Sequence, residues 1–307
     1  MRRSEMRDWL GRFSLINPVL DKEFRLRMRS PRAMWTLFFY LLAIGLLAFA
    51  AIYLTQELSG RGGSSFNPEQ SKGLFYFLTM AQLGLVAFMA PGLTAGVISG
   101  EREKQTLNLL LTTQQSSATI IISKLLSSLG FMVLIVFSTI PIYSMVFLYG
   151  GISPKQMVLV FLFYLFIMLV LGSFGIFFST LLKRTMLSVI ATYGVTLFLF
   201  VGTALLYFVM MSVTSNHFYS QPAGAAQTYN WIGHIIAWNP VAALYSILEP
   251  SISDELFMAN RHGYSGHTGK GAPMPLWLEF MLIYSVLSAA ALWSAIRNLR
   301  PTARRHR

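Results

Sequence analysis

Few residues in this sequence have the type and spacing for covalent chemistry, and each candidate set fails at a definite position. The stretch YSGHTGKGA, from Tyr264 to Ala272, approaches a phosphate-binding loop. Tyr264 stands where the first glycine is needed, and Gly271 where a hydroxyl must hold magnesium. His262 and His267 are five residues apart with no third ligand in the pattern, so exposed loop histidines describe them better than a metal site. HExxH and GxSxG are absent, and no apolar segment carries a carboxylate pair. Four alternating charges lie elsewhere, in VISGEREKQTLNLLLTTQQSS, Val97 to Ser117, where Glu101, Arg102, Glu103 and Lys104 precede a leucine run. Alternating charges beside leucines suit binding rather than bond-breaking. What they bind depends on the elements that carry them.

Those elements are membrane spans. Of 307 residues 54% are hydrophobic and 12% charged, about half the charged share of a soluble domain. No cysteine is present, which excludes disulfide and thiolate chemistry. Six long apolar runs occur, at about 34–54, 74–99, 118–149, 157–182, 186–212 and 276–297. Each can cross the ~30 Å hydrocarbon layer as a helix. The third run is longer than needed, so its first turns are expected at the interface with Lys124 snorkelling outward, and Pro141 is expected to kink it. The expected fold class is an all-α integral membrane protein with six transmembrane helices. No cleavable signal peptide is recognised, because the first apolar run is too long and follows 33 residues rich in Arg.

Charge sets the sides. Residues 1–33 carry nine Lys/Arg against four acids, and the tail from Arg297 carries five Arg and no acid. Lys183 and Arg184 lie in another connection of the same set. The alternate connections, 55–73, 150–156 and 213–275, hold five basic residues and five acids together. The positive-inside rule puts both termini, 100–117 and Lys183–Arg184 in the cytoplasm. This distribution accounts for the formal charge of +12 without nucleic acid.

Read as a helix, the charged connection places Leu107, Leu110 and Leu111 on one face, with Asn108, Thr112 and Gln115 opposite, and lets Glu101 pair with Lys104. An interfacial loop helix that merely anchors a turn has the same periodicity. In the leader, Leu20, Phe24 and Met28 recur every four residues beside Lys22, Arg25, Arg27 and Arg29, the pattern of a basic helix lying on anionic lipid.

The stretch SGEREKQTLNLLLTT resembles the signature of type-2 ATP-binding-cassette (ABC-2) permeases, Gly-Glu-Arg-Glu-Lys-Gly-Thr-Leu-x-Leu-Leu-Leu after the second span. The matching positions are Gly100, Glu101, Arg102, Glu103, Lys104, Thr106, Leu107 and Leu109 to Leu111. The departures are Gln105 for a common glycine and Gln114 where a proline often follows the threonine pair. In that family the segment is a coupling helix that inserts into a separate ATPase subunit. NPVLDKEFRLRMRSPRAMW is similar to the family's basic cytoplasmic helix before the first span, for which lipid anchoring and ATPase contact are compatible.

Residues 213–275 contain YNWIGHIIAWNPVAALYSILEPS, an apolar patch broken at Asn239–Pro240. Proline there disfavours a straight span and biases Asn239 to extended backbone. Spanning would also put the C-terminal arginines outside. A re-entrant or interfacial helical pair is expected, and the resemblance implies an outer gate involving Trp231, Trp238, Asn239 and Pro240; an aromatic belt at the headgroups is the other reading. Pro91, Gly92, Gly96 and Gly100 end span two, offering close helix packing within or between subunits and a hinge at Pro91. Gln82, Ser138, Thr139, Tyr143, Ser173, Thr192 and Tyr193 are mid-span polar groups, suited to helix-to-helix hydrogen bonds or to ligand contact. No acid lies mid-span, unlike an ion-coupled carrier.

The expected organisation is therefore a cytoplasmic basic helix (1–33), spans one to five with the coupling segment at 100–117 (34–212), an external loop (213–275), and the last span with a basic tail (276–307). The resemblance implies a permease subunit in a bacterial plasma membrane, exporting an amphipathic substrate such as a peptide antibiotic, drug, lipid or glycan. It implies two ATPase subunits carrying ATP and magnesium, a second identical or related permease, and no cofactor on this chain. A tether or sensor that does not transport, or an ion-coupled secondary carrier, are the alternatives.

Overall fold

The computed structural model describes residues 29–58, 68–107, 116–148, 150–219, 232–257 and 274–299, and among these all regular structure is helical. Six helical segments are long and apolar enough to cross a membrane. Span one is α1 (Pro31–Leu58) and span two is α2 (Pro68–Thr94). A short helix, α3 (Ser99–Glu103), follows span two. Span three is α4 (Ser117–Phe137) continued by α5 (Ile140–Leu148), and span four is α6 (Pro154–Leu181). Span five is α7 (Thr185–Leu197), a π-turn at Phe198–Gly202, and α8 (Thr203–Tyr219). Three short helices, α9 (Gly233–Ile236), α10 (Pro240–Leu248) and α11 (Ser251–Phe257), precede span six, α12 (Leu276–Leu299).

Local chemistry sets several of these boundaries. Span four opens on a capping box: Ser153 and Gln156 satisfy each other's backbone amides, and Pro154 occupies the first turn, where its missing donor is no loss. Span three breaks at Ser138–Thr139, directly before Pro141, because the proline ring cannot accept the preceding helical geometry.

Span four is the hub, packed against α2, α4, α7, α10 and α12. Its Phe163, Tyr164 and Ile167 share one buried cluster with Phe75, Leu78, Tyr143, Phe280 and Tyr284. Spans one and five flank the bundle and turn their large side chains outward, among them Trp35, Phe39, Phe49, Ile190, Phe198 and Phe208. An all-round apolar helix with one packed side fits lipid on the other.

Close approach of spans two and four depends on a glycine. A Cβ at Gly175 would overlap the Thr94 side chain, 2.8 Å from its Cβ, and stand 3.2 Å from the Ala95 amide nitrogen. At Gly45 a Cβ meets nothing within 4 Å. Gly175→Ala is expected to destabilise the chain by about 1–3 kcal/mol through forced separation of the two helices. Gly45→Ala, which only stiffens a helix, is expected to gain about 0.5–1 kcal/mol. Thermal midpoints in mild detergent check both signs.

Candidate functional site

The charged connection begins where span two ends. Pro91 lies inside α2, whose last turn closes at Thr94 with the Thr94 hydroxyl donating to Ala90 O (2.7 Å). Residues 95–98 form a turn, and α3 starts at Ser99. The amides of Ile98, the residue before α3, and of Ser99, its first residue, donate to Ser179 Oγ on α6 at 2.8 and 2.9 Å, so a side chain from span four satisfies the start of this helix. Ser188 on α7 donates to Ala95 O (2.6 Å).

α3 ends in a Schellman closure. Thr106 N donates to Glu101 O (3.0 Å) and Gln105 N to Arg102 O (3.1 Å), with Gln105 at φ 58°. That left-handed conformation favours glycine, and Gln105 is the position at which the resembled signature carries glycine. The departure sits where it strains the backbone most.

The three charges of α3 reach three different helices. Glu101 Oε1 accepts from Lys124 Nζ of α4 at 2.5 Å, with side chains 25% and 4% exposed. Arg102 donates to Thr180 O (3.1 Å) and Leu182 O (3.4 Å), carbonyls at the C-terminus of α6. Glu103 accepts from the Thr185 amide (2.7 Å) and hydroxyl (2.8 Å) at the N-terminus of α7. Those Thr185 hydrogen bonds hold the Glu103 carboxyl below its usual range. A cation on a helix C-terminus and an anion on an N-terminus both oppose the helix dipole. One short helix thus joins the ends of spans two, three, four and five on one side of the bundle.

Lys124 does not snorkel outward, because Glu101 meets it inside the bundle; the pairing of Glu101 with Lys104 gives way to this one. Leu107 turns inward too, packing with Ile98, Ile120, Ile121, Leu125, Ile176, Ala295 and Leu299. The continuous helix through Leu107 is broken at Lys104–Gln105. Lys104, Gln105 and Thr106 are left exposed. Leu109, Leu110 and Leu111 lie outside the described residues, as do Lys22, Phe24, Arg25, Arg27 and Met28 of the leader. Arg29, at the edge of the leader, is exposed. Gly92 and Gly96 face α7 of the same chain: a Cβ at either would stand 3.1 Å from Tyr193 Oη or Thr185 Cγ2. At Gly100 the nearest atom would be Thr185 Oγ1, at 3.8 Å.

Ser179, Thr185 and Ser188 were not among the expected site residues. Lys124 had a signal, being a lone charge in an apolar run. Ser179 had none, since a serine late in a span reads as packing.

At the opposite end, α9 and α10 form a helical pair broken at Asn239–Pro240, with Asn239 extended at φ −88°, ψ 122°. Asn239 is 2% exposed and its amide bonds on both sides. Oδ1 accepts from Val241 N (2.8 Å) and Ala242 N (3.3 Å), capping α10. Nδ2 donates to Phe200 O (2.8 Å), inside the π-turn of span five, and to Thr203 Oγ1 (3.0 Å). Tyr284 donates to Trp238 O (2.9 Å), and Tyr76 and Gln156 both donate to Leu248 O (2.9 and 3.1 Å). His234 Nδ1 lies 2.7 Å from Glu279 Oε1. The pair is therefore tied to spans two, four, five and six. Trp238 is partly exposed and Pro240 buried, and Trp231 lies outside the described residues. No group of three or more metal-ligating side chains occurs among the described residues.

Residues 17–288 match the family model described as ABC-2 family transporter protein, a stretch that takes in both the α3 junction and the α9–α10 pair. No curated protein matches the chain.

Two predictions test the junction. Lys124→Met strands the half-buried Glu101 carboxylate and is expected to cost about 3 kcal/mol, while adding Glu101→Gln restores much of that; chemical denaturation of the single and double variants checks it. Gln105→Gly relieves the left-handed backbone and is expected to raise stability by about 1 kcal/mol, read as a higher thermal midpoint.

Proposed function

The chain belongs to the ABC-2 family of transporter proteins, and from that premise we propose that it is the permease subunit of an exporter driven by a separate ATPase. It is a membrane-transport subunit built on six spans of apolar helix. Two ATPase subunits, which bind ATP and magnesium, work with this permease and a second, identical or related one. We read the host membrane as a bacterial plasma membrane, with both chain termini in the cytoplasm, in keeping with the charge asymmetry of the connections. The substrate is amphipathic, in keeping with mid-span polar groups that are hydroxyls and amides rather than charges.

The observation that carries this reading is the division of labour in α3. Glu101, Arg102 and Glu103 each bond to a different span, Glu103 at the surface, and Lys104, Gln105 and Thr106 lie exposed just beyond them. The partner docks on the exposed tip of Lys104, Gln105 and Thr106, and the three bonded charges pass its displacement to the bundle. ATP binding closes the ATPase pair, the tip follows, and the spans rock to open outward. A coupling free energy of ~1–3 kcal/mol between nucleotide state and bundle state is enough to bias the two arrangements, provided contacts at the tip differ between them. The α9–α10 pair then acts as the outer gate, swung by its attachments to spans two, four, five and six.

The test is co-purification in mild detergent from the native membrane, with ATPase activity assayed on the eluate. The variant reverses the exposed tip, Lys104→Glu with Thr106→Arg, and leaves Leu107 in place because that side chain is core. Vanadate-sensitive ATPase is expected to accompany the parent and to be lost with a tip variant whose thermal midpoint is unchanged. A parent that brings no ATPase, or a tip variant that retains it in full, contradicts the reading.

A further inference from the structure

Midway along spans one to four, polar groups meet in an otherwise apolar interior. Gln82 and Thr79 are three residues apart on one face of α2 and fully buried. Thr139, at the break in span three, donates to Val136 O (2.6 Å) and lies 3.3 Å from Gln82 Oε1. Tyr164 of α6 donates to Thr79 O (2.8 Å), and Tyr143 of α5 lies 3.4 Å from the Tyr164 hydroxyl. Tyr40 of α1 lies close to Tyr143 and Tyr164. Phe75 and Phe161 wall the cluster, with ring centroids 5.8 and 5.4 Å from Tyr143.

Three polar atoms here have no hydrogen-bond partner within the protein and no exposure: Gln82 Nε2, Tyr40 Oη and Thr79 Oγ1. The Thr79 hydroxyl stands beside both inner phenols. Turning the Gln82 amide over only exchanges the orphan, because Thr139 then engages Nε2 and leaves Oε1 bare. Orphaned polar groups are far more costly in a hydrocarbon surrounding than an ordered water is. No carboxylate stands among the described residues of the cluster, so the ligand chemistry is that of a neutral donor and acceptor.

We propose that Gln82, Thr79, Thr139 and Tyr40 form an internal water site at the kink of span three. Ordered water there links span one to spans two and four through hydrogen bonds that the side chains cannot make directly. It also solvates the region where Pro141 interrupts the backbone ladder, a common setting for inserted water.

The probe is water itself. Full-length chain in lipid nanodiscs, in heavy-oxygen water, is exposed to X-ray pulses, and hydroxyl-radical labelling is read by mass spectrometry. Tyr143 and Tyr164 are expected to take up label several-fold faster than the equally buried Phe163 and Phe280, and Gln82→Met is expected to abolish the excess. The same variant is expected to lower the thermal midpoint, since it removes a partner of the water. Labelling of the tyrosines no faster than of Phe163 and Phe280 overturns the site. So does a Gln82→Met protein of raised thermal midpoint, the result of removing a dry orphan. If Gln82→Met does not fold, the labelling of the parent decides alone.

Discussion

The opposition of side-chain charge to helix dipole at α3 is the interaction on which one end of this bundle depends. Spans four and five meet there with a C-terminus and an N-terminus side by side, each with backbone groups that lack intrahelical partners. Arg102 satisfies carbonyls of the first and Glu103 the amide of the second. Glu101 holds Lys124 of span three, and Ser179 satisfies α3 itself. Without these bonds four helix ends would need water at the membrane boundary. With them, the same four ends form one joined unit.

The α9–α10 pair repeats this logic at the other end of the bundle with neutral groups. Asn239 uses its carbonyl to cap α10 and its amide to satisfy Phe200 O, in the stretch where the π-turn departs from the regular ladder. A π-turn inside a span is a common companion of functional sites. Leu248 O, at the end of α10, takes two donors from spans two and four. Both ends of the bundle are thus fastened to span four.

Much of this was legible in the sequence because it is local. Apolar run length gave all six spans, Pro141 marked the break in span three, and Asn239–Pro240 marked an extended residue before a helix start. The partners of α3 were not legible. Helical spacing offers Glu101 only Lys104, whereas its partner Lys124 lies 23 residues away in span three. A period cannot report a contact between segments. The same holds for Ser179, which reads as one more small residue late in a span, and for Leu107, whose place among leucines suggested a surface stripe when it is core. Gln105 is the reverse case: a departure from a resembled motif whose local consequence, a left-handed backbone, is visible only in the fold.

The central claim is that α3 moves with the ends of spans four and five as one body. A cross-link tests it directly, because the chain has no native cysteine. Gly100→Cys and Lys183→Cys place thiols on α3 and on the connection between spans four and five, away from the Lys104–Thr106 tip. They would be joined with a short bismaleimide in the complex with its ATPase, and substrate-stimulated ATP hydrolysis compared before and after. The account predicts that joining them leaves stimulation intact, since the two sites do not move apart. Loss of stimulation on cross-linking, restored in the uncross-linked double variant, would mean that α3 shifts against the bundle and would contradict it.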